Sequence, residues 1–186
     1  VRYDDRGGQM AARGWWMFRW LGHEATAVLD GGLQQWQRPL ESGAPQTPNP
    51  SDYQPKQSLT RLWQVQDVEH NLSQPTHLLV DARSAERFRG EQEPIDPVAG
   101  HIPSAICLPC TDNLAPSGLF KTGEDLRQRF ADLLDTHTVC YCGSGVTATH
   151  NILAMRLAGL AEPVLYADSW SGWITDSHRP IALSDT

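Results

Sequence analysis

The sequence lacks an excess of positive charge, which limits the kinds of partner that it can have. Its 15 lysines and arginines are outnumbered by 22 aspartates and glutamates, giving a formal net charge of −7. Proteins that bind nucleic acids or anionic membranes through a broad electrostatic field need the opposite sign. We therefore expect neither a nucleic-acid nor a membrane partner, and a small anionic ligand would need a local cationic site.

Long apolar runs and a disulfide framework are also missing. No run approaches the roughly 20 apolar residues that a membrane-spanning helix requires. The chain begins with a short, charged segment, residues 1–5, which is unlike a secretory signal peptide. The four cysteines all fall within residues 107–142, which is not the spacing of a stapled secreted domain. These features predict a soluble, cytoplasmic protein.

One pattern occurs at both ends of the chain. Residues 1–36 and residues 139–173 each predict a strand, a glycine-containing loop, a helix, a second strand and a short helix. The matched positions, within one residue of a constant offset, are Tyr3 with Tyr141, Gly22 with Gly159, and Trp36 with Trp173. Such repetition predicts a duplicated α/β unit, of which the first copy is present only as its second half.

In the first copy we predict a strand at residues 1–3 and a buried strand at residues 25–30. Between them, residues 10–22 predict a helix with Trp16, Trp20 and Leu21 on one side and Gly22 as its C-terminal cap. In the second copy, residues 146–159 predict a helix whose apolar stripe is formed by Val146, His150, Leu153 and Leu157.

The middle of the chain predicts a linker followed by a complete α/β unit. Residues 43–58 are rich in proline and have no apolar period, which favours an extended linker between domains at 1–42 and 59–186. Predicted strands (77–83, 104–109, 139–142 and 163–168) alternate with predicted helices (65–72, 85–90, 122–134 with Thr122 as cap, 146–159 and 169–173). This alternation predicts an α/β fold with a mostly parallel sheet covered on both faces.

Cys142 lies where reactive loops are found in such sheets, beyond the carboxyl end of a strand. Backbone N–H groups of the loop and of the following helix favour a thiolate there, and could bind an anionic adduct on its sulfur. The loop lacks the lysine of nucleotide-binding loops. Cysteine phosphatases have an arginine six positions after the cysteine, where this chain has Ala148, so a phosphate dianion would have no bidentate clamp. A persulfide carrier is the remaining interpretation.

Four segments of the sequence resemble a known family: "DARSAERFRG", "EPIDPVAGHIPSAI", "YCGSGVTATHN" and "LYADSWSGW". Together they resemble the C-terminal, catalytic domain of the tandem-domain rhodanese sulfurtransferases. Residues 1–42 resemble the end of the inactive N-terminal domain, with Asp4 in place of the cysteine. The resemblance covers essentially the whole chain and implies a rhodanese-like fold. It also implies transfer of a sulfane sulfur through Cys142 to a thiol, thioredoxin or cyanide, without a metal or an organic cofactor.

The resemblance also bears on the identity of the sulfur donor. Residues 142–147 are similar to the loop of 3-mercaptopyruvate sulfurtransferases, whereas thiosulfate-preferring relatives have Arg-Lys in place of Gly143-Ser144. The uncharged pair favours 3-mercaptopyruvate, with a thiosulfate-specific rhodanese as the alternative. Ile95 departs from the second arginine that mercaptopyruvate enzymes commonly have. Their loop serine is supported by a His and an Asp from a part of the N-terminal domain that this chain does not contain, so we expect the site to need that part.

The resemblance also implies roles for individual side chains. Arg87 matches the first arginine of the family's RFRG motif and is expected to bind the donor's carboxylate or sulfonate. Arg83 is expected to tie its loop to the sheet through carboxylates, with substrate contact as the alternative, and Trp170 is a possible pocket wall. The loop is completed by Gly145 and Val146. Ser144 and Thr147 could each bond the donor or cap the following helix.

Three further interpretations remain open. His150 is expected to be a satisfied structural histidine. Cys107 and Cys110, with Cys140 and Cys142, could form a zinc or dithiol redox site, although residues three apart on a strand point to opposite faces. A non-catalytic rhodanese-like binding module is the last alternative, and the retained Cys142 with its intact loop disfavours it.

Overall fold

The computed structural model describes residues 1–44 and 50–184, and its centre is a five-stranded parallel sheet. The strands are β1 (Leu62–Trp63), β2 (Leu78–Asp81), β3 (Ile106–Cys107), β4 (Thr138–Tyr141) and β5 (Val164–Tyr166). They lie in the order β1-β5-β4-β2-β3, and all four pairings are parallel. The predicted α/β class with a parallel sheet is confirmed, but β3 is only two residues long where six were predicted.

Six helices surround this sheet. They are α1 (Gln9–Trp20), α2 (Val65–Ser73), α3 (Ala85–Phe88), α4 (Gly123–Arg129), α5 (Ala148–Leu157) and α6 (Ser169–Trp173). Short 3-10 turns occur at Gly32–Gln35, Cys110–Asn113 and Ala131–Leu133. Thr122 caps α4 as predicted, since its hydroxyl accepts a hydrogen bond from the N–H of Asp125 at 3.2 Å. None of the helices in the described part of the chain is both long and apolar enough to cross a membrane.

The two faces of the sheet pack into separate apolar clusters because successive side chains on a strand point to opposite sides. Val80, Cys140 and Leu165 pack with residues of α1, α4 and α5. Leu79 and Val139 face the other way and pack with residues of α2 and α6. Both faces are therefore buried, which explains why the strands are almost wholly apolar.

The register of β2 and β4 brings the reactive loops together. Asp81 pairs with Tyr141, so the residues that follow these strands leave the sheet at the same edge. The loop after β5 leaves the sheet at this edge as well, because β5 is parallel to β4. Cys142 therefore lies between the loop that carries α3 and the turn that begins α6.

Helix α1 forms where it was predicted, but its buried side is different. Its buried residues are Ala11, Ala12, Trp15 and Trp16. Trp20 is 46% exposed and stacks on Trp16 at the surface, with ring centroids 6.4 Å apart. Trp16, Trp20 and Leu21 were predicted on one side of the helix, but only Trp16 is buried, because α1 buries a side that packs on α5.

The two strands predicted in the first copy reduce to a single bridge between Arg2 and Val28. Two hydrogen bonds make it, from the Arg2 N–H to the Ala27 carbonyl at 2.7 Å and from the Leu29 N–H to the Arg2 carbonyl at 2.8 Å. Residues 25–30 are at least partly exposed, so the prediction of a buried strand was wrong. In the part of the chain that the structure describes, no third strand flanks this pair, and an isolated pair is only marginally stable.

Helix α5 begins at Ala148, two residues later than predicted, and its predicted apolar stripe was wrong. Leu157 is half-exposed, whereas Ile152 and Met155 are fully buried. The helix is covered by the sheet on one side and by α1 on another, so burial extends around most of its circumference. A single-stripe pattern cannot describe such a helix.

The predicted linker, residues 43–58, lies partly outside the described residues, since these do not include 45–49. Its described end is held against the end of α1. Lys56 donates its N–H to the Leu21 carbonyl at 2.9 Å, and the Tyr53 hydroxyl donates to the same oxygen at 2.9 Å. The domain boundaries at 42 and 59 stay predictions, as does the end of the second domain at 186.

Asp4, which the sequence predicts as the counterpart of Cys142, is an anion held by backbone N–H groups. One carboxylate oxygen accepts from Arg6 and Gly8 at 2.8 Å each. The other accepts from Met10 and Ala11 at 2.7 Å each. Burial by itself would raise the pKa of Asp4, but these four hydrogen bonds outweigh it and the pKa is lowered.

We expect Asp4→Asn to lower the free energy of unfolding at pH 7 by about 1–2 kcal/mol, the size of a lost helix cap. Because folding lowers the pKa of Asp4, its contribution is complete above the ordinary value of 3.8 and is lost as the pH falls below it. Urea unfolding at several pH values should therefore show less acid sensitivity in Asp4→Asn than in the wild type. Asp5→Asn, at the exposed neighbouring position, is the control, and equal effects of the two would contradict the assignment.

Candidate active site at the carboxyl ends of β2, β4 and β5

A cavity of about 180 Å³ opens beside Cys142. Its lining consists of Arg87, Ile95, Asp96, Cys142, Gly143, Ser144, Val146, Thr147 and Ser171. Six of the predicted site residues are thus brought together in one cavity: Cys142, Arg87, Gly143, Ser144, Val146 and Thr147. Asp96 and Ser171 were not predicted, and Ile95 had been noted only as a departure from the family pattern.

The peptide groups on both sides of Cys142 are fixed by the first turn of α6. The N–H of Cys142 donates to the Ser169 hydroxyl at 3.1 Å. Its carbonyl accepts from the Trp170 N–H at 2.9 Å, and the Gly143 carbonyl accepts from the Ser171 N–H, also at 2.9 Å. Cys142 is only 2% exposed, so the thiol reaches solvent through the cavity alone.

The loop after Cys142 offers a series of unused hydrogen-bond donors. Within residues 1–44 and 50–184, none of the N–H groups of residues 143–147 has a hydrogen-bond partner. The Val146 and Thr147 carbonyls, by contrast, accept from Thr149 at 3.2 Å and His150 at 3.1 Å. In the Asp4 loop, the N–H groups of Arg6 and Gly8, which align with Ser144 and Val146, donate to the Asp4 carboxylate. This arrangement suits an anion on the sulfur of Cys142.

The loop can fold in this way only with glycine at position 145. Its φ is +73°, in the left-handed region that side chains rarely adopt. A β-carbon there would also lie 2.2 Å from the Ala167 carbonyl oxygen, at the end of β5. Gly145 therefore lets the loop pass directly over the neighbouring strand end, and it does not itself line the cavity.

Arg87 reaches the cavity from the end of α3 and is oriented by carboxylates. Glu93 accepts from its Nε at 3.1 Å and from its Nη2 at 2.7 Å. Asp96 accepts from the same Nη2 at 3.2 Å and also from the Ser171 hydroxyl at 2.7 Å. Among the described residues no hydrogen bond involves Nη1, which would lie 3.6 Å from a β-carbon at Gly143. Arg87 thus presents one free side to the Cys142 loop.

Glu93 is the residue that joins the two arginines behind the cavity. It binds Arg87, accepts from Arg83 Nη1 at 3.2 Å, and accepts the backbone N–H groups of Ile95 and Asp96 at 3.1 Å each. Burial acts to raise the pKa of Glu93, but the hydrogen bonds from Arg87 and the backbone lower it overall. The carboxylate is therefore charged at neutral pH and holds Arg87 in place.

Arg83 and Trp170 lie outside the cavity lining. The Arg83 guanidinium is buried, and its Nη2 donates to Asp81 and to the Gly100 carbonyl, at 2.7 Å each. Trp170 is fully buried and donates its indole N–H to the Val98 carbonyl at 2.9 Å. Both side chains support the loops around the site from behind, which is the tying role expected of Arg83.

The capping role considered for Ser144 and Thr147 is not seen. Thr147 directly precedes α5, but neither hydroxyl caps the helix within the described residues. Ser144 is exposed at the mouth of the cavity. His150 is a satisfied structural histidine, as predicted, because Nε2 lies 3.0 Å from the Gly7 carbonyl oxygen and Nδ1 lies 3.1 Å from the amide nitrogen of Asn113.

The four cysteines are all free thiols. Burial, reinforced by Asp81, raises the pKa of Cys107 to about 12. Burial and the neighbouring Cys142 raise the pKa of Cys110 to about 11, and burial also raises that of Cys140. Thiols that stay protonated at neutral pH are weak nucleophiles. No cluster of three or more possible metal ligands occurs in the described part of the chain.

Comparison with known proteins gives the family. A sequence model of the rhodanese-like domain matches residues 64–176. A probable 3-mercaptopyruvate sulfurtransferase of Pseudomonas aeruginosa is 48% identical over 100% of this chain and 68% of its own length. The human 3-mercaptopyruvate sulfurtransferase is 40% identical over 100% of this chain and 65% of its own length. The chain therefore belongs to the rhodanese-like family, as the sequence resemblance implied, and it spans about two thirds of these relatives.

Other comparisons agree on the fold and on the class of enzyme. The mouse thiosulfate sulfurtransferase is 36% identical over 91% of this chain and 60% of its own length. The crystal structure of the Tum1 protein of Saccharomyces cerevisiae superposes with a TM-score of 0.85 at 26% identity, over 99% of this chain and 69% of that one. An anaerobic ergothioneine biosynthesis enzyme of Chlorobium limicola, 21% identical over 94% of this chain and 45% of that one, shares the fold with a TM-score of 0.82.

Sequence reasoning missed the residues that orient Arg87. Asp96 lies in a loop and Ser171 in α6, and they meet only in the folded chain, where the Ser171 hydroxyl donates to Asp96 at 2.7 Å. The position of Ser171 just beyond the carboxyl end of β5 was a usable signal, because ligands bind at that edge of a parallel sheet. Asp96 lies in a loop with no periodic pattern, and no comparable signal marked it.

We expect Gly145→Ala to lower the free energy of unfolding by about 3 kcal/mol or more, because backbone strain adds to overlap with Ala167. Gly118→Ala is the matched control, since its φ is +81° but nothing lies within 4 Å of the added β-carbon. That control should lose only about 1–2 kcal/mol. Urea unfolding checks both values, and equal losses would contradict the close approach at Gly145.

Proposed function

We propose that this chain is a sulfurtransferase that carries a sulfane sulfur as a persulfide on Cys142. The observation that carries the proposal is the position of a buried thiol at a strand end, beside a cavity that holds Arg87, in a loop whose five N–H groups are unused. The names of the relatives, 3-mercaptopyruvate and thiosulfate sulfurtransferases, support the same chemistry.

In the first half-reaction, the Cys142 thiolate attacks the sulfur of the donor. With 3-mercaptopyruvate, an S–S bond forms and the carbon–sulfur bond breaks. Its electron pair leaves on the pyruvate enolate, which takes up the proton that the donor thiol carried. With thiosulfate, the donor's S–S bond breaks and sulfite leaves. The negative charge then rests on the outer sulfur, where the loop N–H groups stabilise it.

In the second half-reaction, an acceptor thiolate, thioredoxin or cyanide attacks the outer sulfur. The S–S bond of the persulfide breaks, and its electron pair returns to the Cys142 sulfur. Both steps are displacements at sulfur and require no metal or organic cofactor. Because the donor product leaves before the acceptor reacts, we expect ping-pong kinetics.

Arg87 is proposed to bind the anionic group of the donor with the side that Glu93 and Asp96 leave free. We favour 3-mercaptopyruvate, because the uncharged Gly143 and the exposed Ser144 hydroxyl suit a monoanion with a carbonyl better than a dianion. Thiosulfate remains the alternative donor. Ile95 is consistent with thiosulfate as the donor. It lines the cavity at a position where an arginine would add a second cation and strengthen the binding of a carboxylate.

The site is also proposed to need a further part of the first unit. An apolar groove of about 320 Å³ lies on the described part of this unit, lined mainly by Val1, Tyr3, Leu29, Leu33, Trp36, Pro39 and Leu40. Exposed apolar surface of this kind favours a covering partner. About a third of each relative's own length lies outside the part that this chain matches, and it could supply that partner. A cytoplasmic location belongs to the same proposal and is supported by the four free thiols.

We expect Cys142→Ser to lower kcat for sulfur transfer to cyanide at least about a thousandfold with either donor, because the nucleophile is lost. Cys107→Ser is the control, since this half-buried thiol lies outside the cavity. Thiocyanate formation measures the rate, and mass spectrometry of the protein treated with donor alone should show one added sulfur in the control and none in Cys142→Ser. Full activity of Cys142→Ser would exclude the proposed nucleophile.

We expect Ile95→Arg to lower KM for 3-mercaptopyruvate by about 5- to 10-fold, because a second guanidinium would face the donor carboxylate from the cavity wall. Ile95 is 74% exposed, so the longer side chain can be accommodated. Ile181→Arg adds the same charge at another exposed position and should leave KM unchanged. Steady-state kinetics with both donors would separate a general charge effect from one on carboxylate binding.

A further inference from the structure

Arg13, on α1 of the first unit, has a guanidinium that the fold leaves partly unpaired. Its Nη1 is buried, and within the described residues it has no hydrogen-bond partner. The guanidinium also makes a cation–π contact, with Cζ 5.3 Å from the Trp16 ring centroid, but this contact gives Nη1 no hydrogen-bond acceptor. A buried polar atom without a partner normally destabilises a protein, and a cation more so than a neutral group. Such a group therefore calls for a functional explanation.

Helix α1, which carries Arg13, packs beside the element that follows the Cys142 loop. The hydrogen bond between His150 Nε2 and the Gly7 carbonyl, 3.0 Å long, fixes the start of α1 on the first turn of α5. That turn directly follows the Cys142 loop. Trp15 and Trp16 belong to the same apolar cluster as Cys142. Arg13 thus belongs to a helix that packs against α5 and shares an apolar cluster with Cys142, and it is not part of the cavity lining.

The charges around Arg13 agree with this position. Burial lowers the pKa of Arg13, and the charge that counteracts this effect is that of the Cys142 thiolate. Arg19, on the same helix, differs in having a carboxylate partner, since its Nη2 lies 2.8 Å from Glu162. Arg87 likewise has Glu93 and Asp96. Arg13 differs from Arg19 and Arg87 in having no carboxylate partner among the described residues, and it interacts electrostatically with Cys142 instead.

We propose that Arg13 is a positioning residue whose charge stabilises anionic sulfur on Cys142, so that the first unit contributes to the site of the second. The proposal deepens the proposed persulfide function and rests on it. Arg87 acts from the cavity and meets the donor, whereas Arg13 acts from the protein side and meets the charge on the sulfur. In this proposal, Nη1 of Arg13 has no partner in the resting protein and gains one when negative charge develops on the Cys142 sulfur.

Alkylation of Cys142 by iodoacetate and by iodoacetamide tests this role without any sulfur donor. Both reagents react with the same thiolate, so the ratio of their second-order rate constants reports the field acting on an anion near the sulfur. We expect Arg13→Gln to lower the iodoacetate-to-iodoacetamide ratio about 3- to 10-fold, the effect of one nearby charge in a partly buried site. Arg13→Lys should keep most of the wild-type ratio, and Arg6→Gln, which removes an exposed charge in the same segment, should leave it unchanged.

A stability measurement separates this role from a structural one. Arg13→Met keeps an unbranched side chain over Trp16 but removes the unpaired charge, so its Tm should equal or exceed that of the wild type. A structural arginine would instead lower Tm on replacement. A wild-type ratio in both Arg13→Gln and Arg13→Met, or failure of both variants to fold, would overturn the proposal. If the wild type transferred no sulfur but the alkylation ratios were as expected, the proposed function would be overturned. The effect of the Arg13 charge on Cys142 would still be established.

Discussion

The hydrogen bonds that join Cys142 to the first turn of α6 are the constraint on which the site depends. Ser169 adopts a left-handed φ of 55°, which is costly for a residue with a side chain. In that conformation its hydroxyl accepts from the Cys142 N–H and donates to the Tyr166 carbonyl at 2.9 Å. The thiol is thereby tied to the ends of two neighbouring strands. The loop that follows can leave its own N–H groups unpaired because the cysteine is already fixed from the other side.

The electrostatics of the site follow from local placement, since the chain as a whole is acidic. Arg87 is nearly neutralised by Glu93 and Asp96, which fixes its orientation and limits its attraction for anions. Arg13 is the opposite case, a cation with little compensation. Arg87 is oriented by carboxylates at the surface of the cavity. Arg13 lies outside the cavity and interacts electrostatically with Cys142. An overall net charge of −7 gives no indication of either.

Much of the fold could be predicted, because buried strands and helix periods are local features of the sequence. The sheet, the order of the helices, the cap at Thr122 and the cavity residues of the Cys142 loop all come from short segments. The stripe on α5 was predicted wrongly because the helix is covered on more than one side. The pairing of Asp96 with Arg87 and the contact of His150 with Gly7 could not be predicted, because each joins segments that become neighbours only when the sheet and α1 are assembled.

The Asp4 loop and the Cys142 loop differ in how long each would hold an anion. In the first copy the carboxylate of Asp4 is part of the chain, so its four hydrogen bonds form once, during folding, and remain. In the second copy the corresponding charge would come and go with each transferred sulfur, and the fold must hold the empty loop open in between. The sulfur-free protein, whose loop N–H groups lack a partner, would therefore be less stable than the sulfur-loaded protein. Loading with sulfur would relax it, so that hydrogen exchange at residues 143–147 slows in the loaded form.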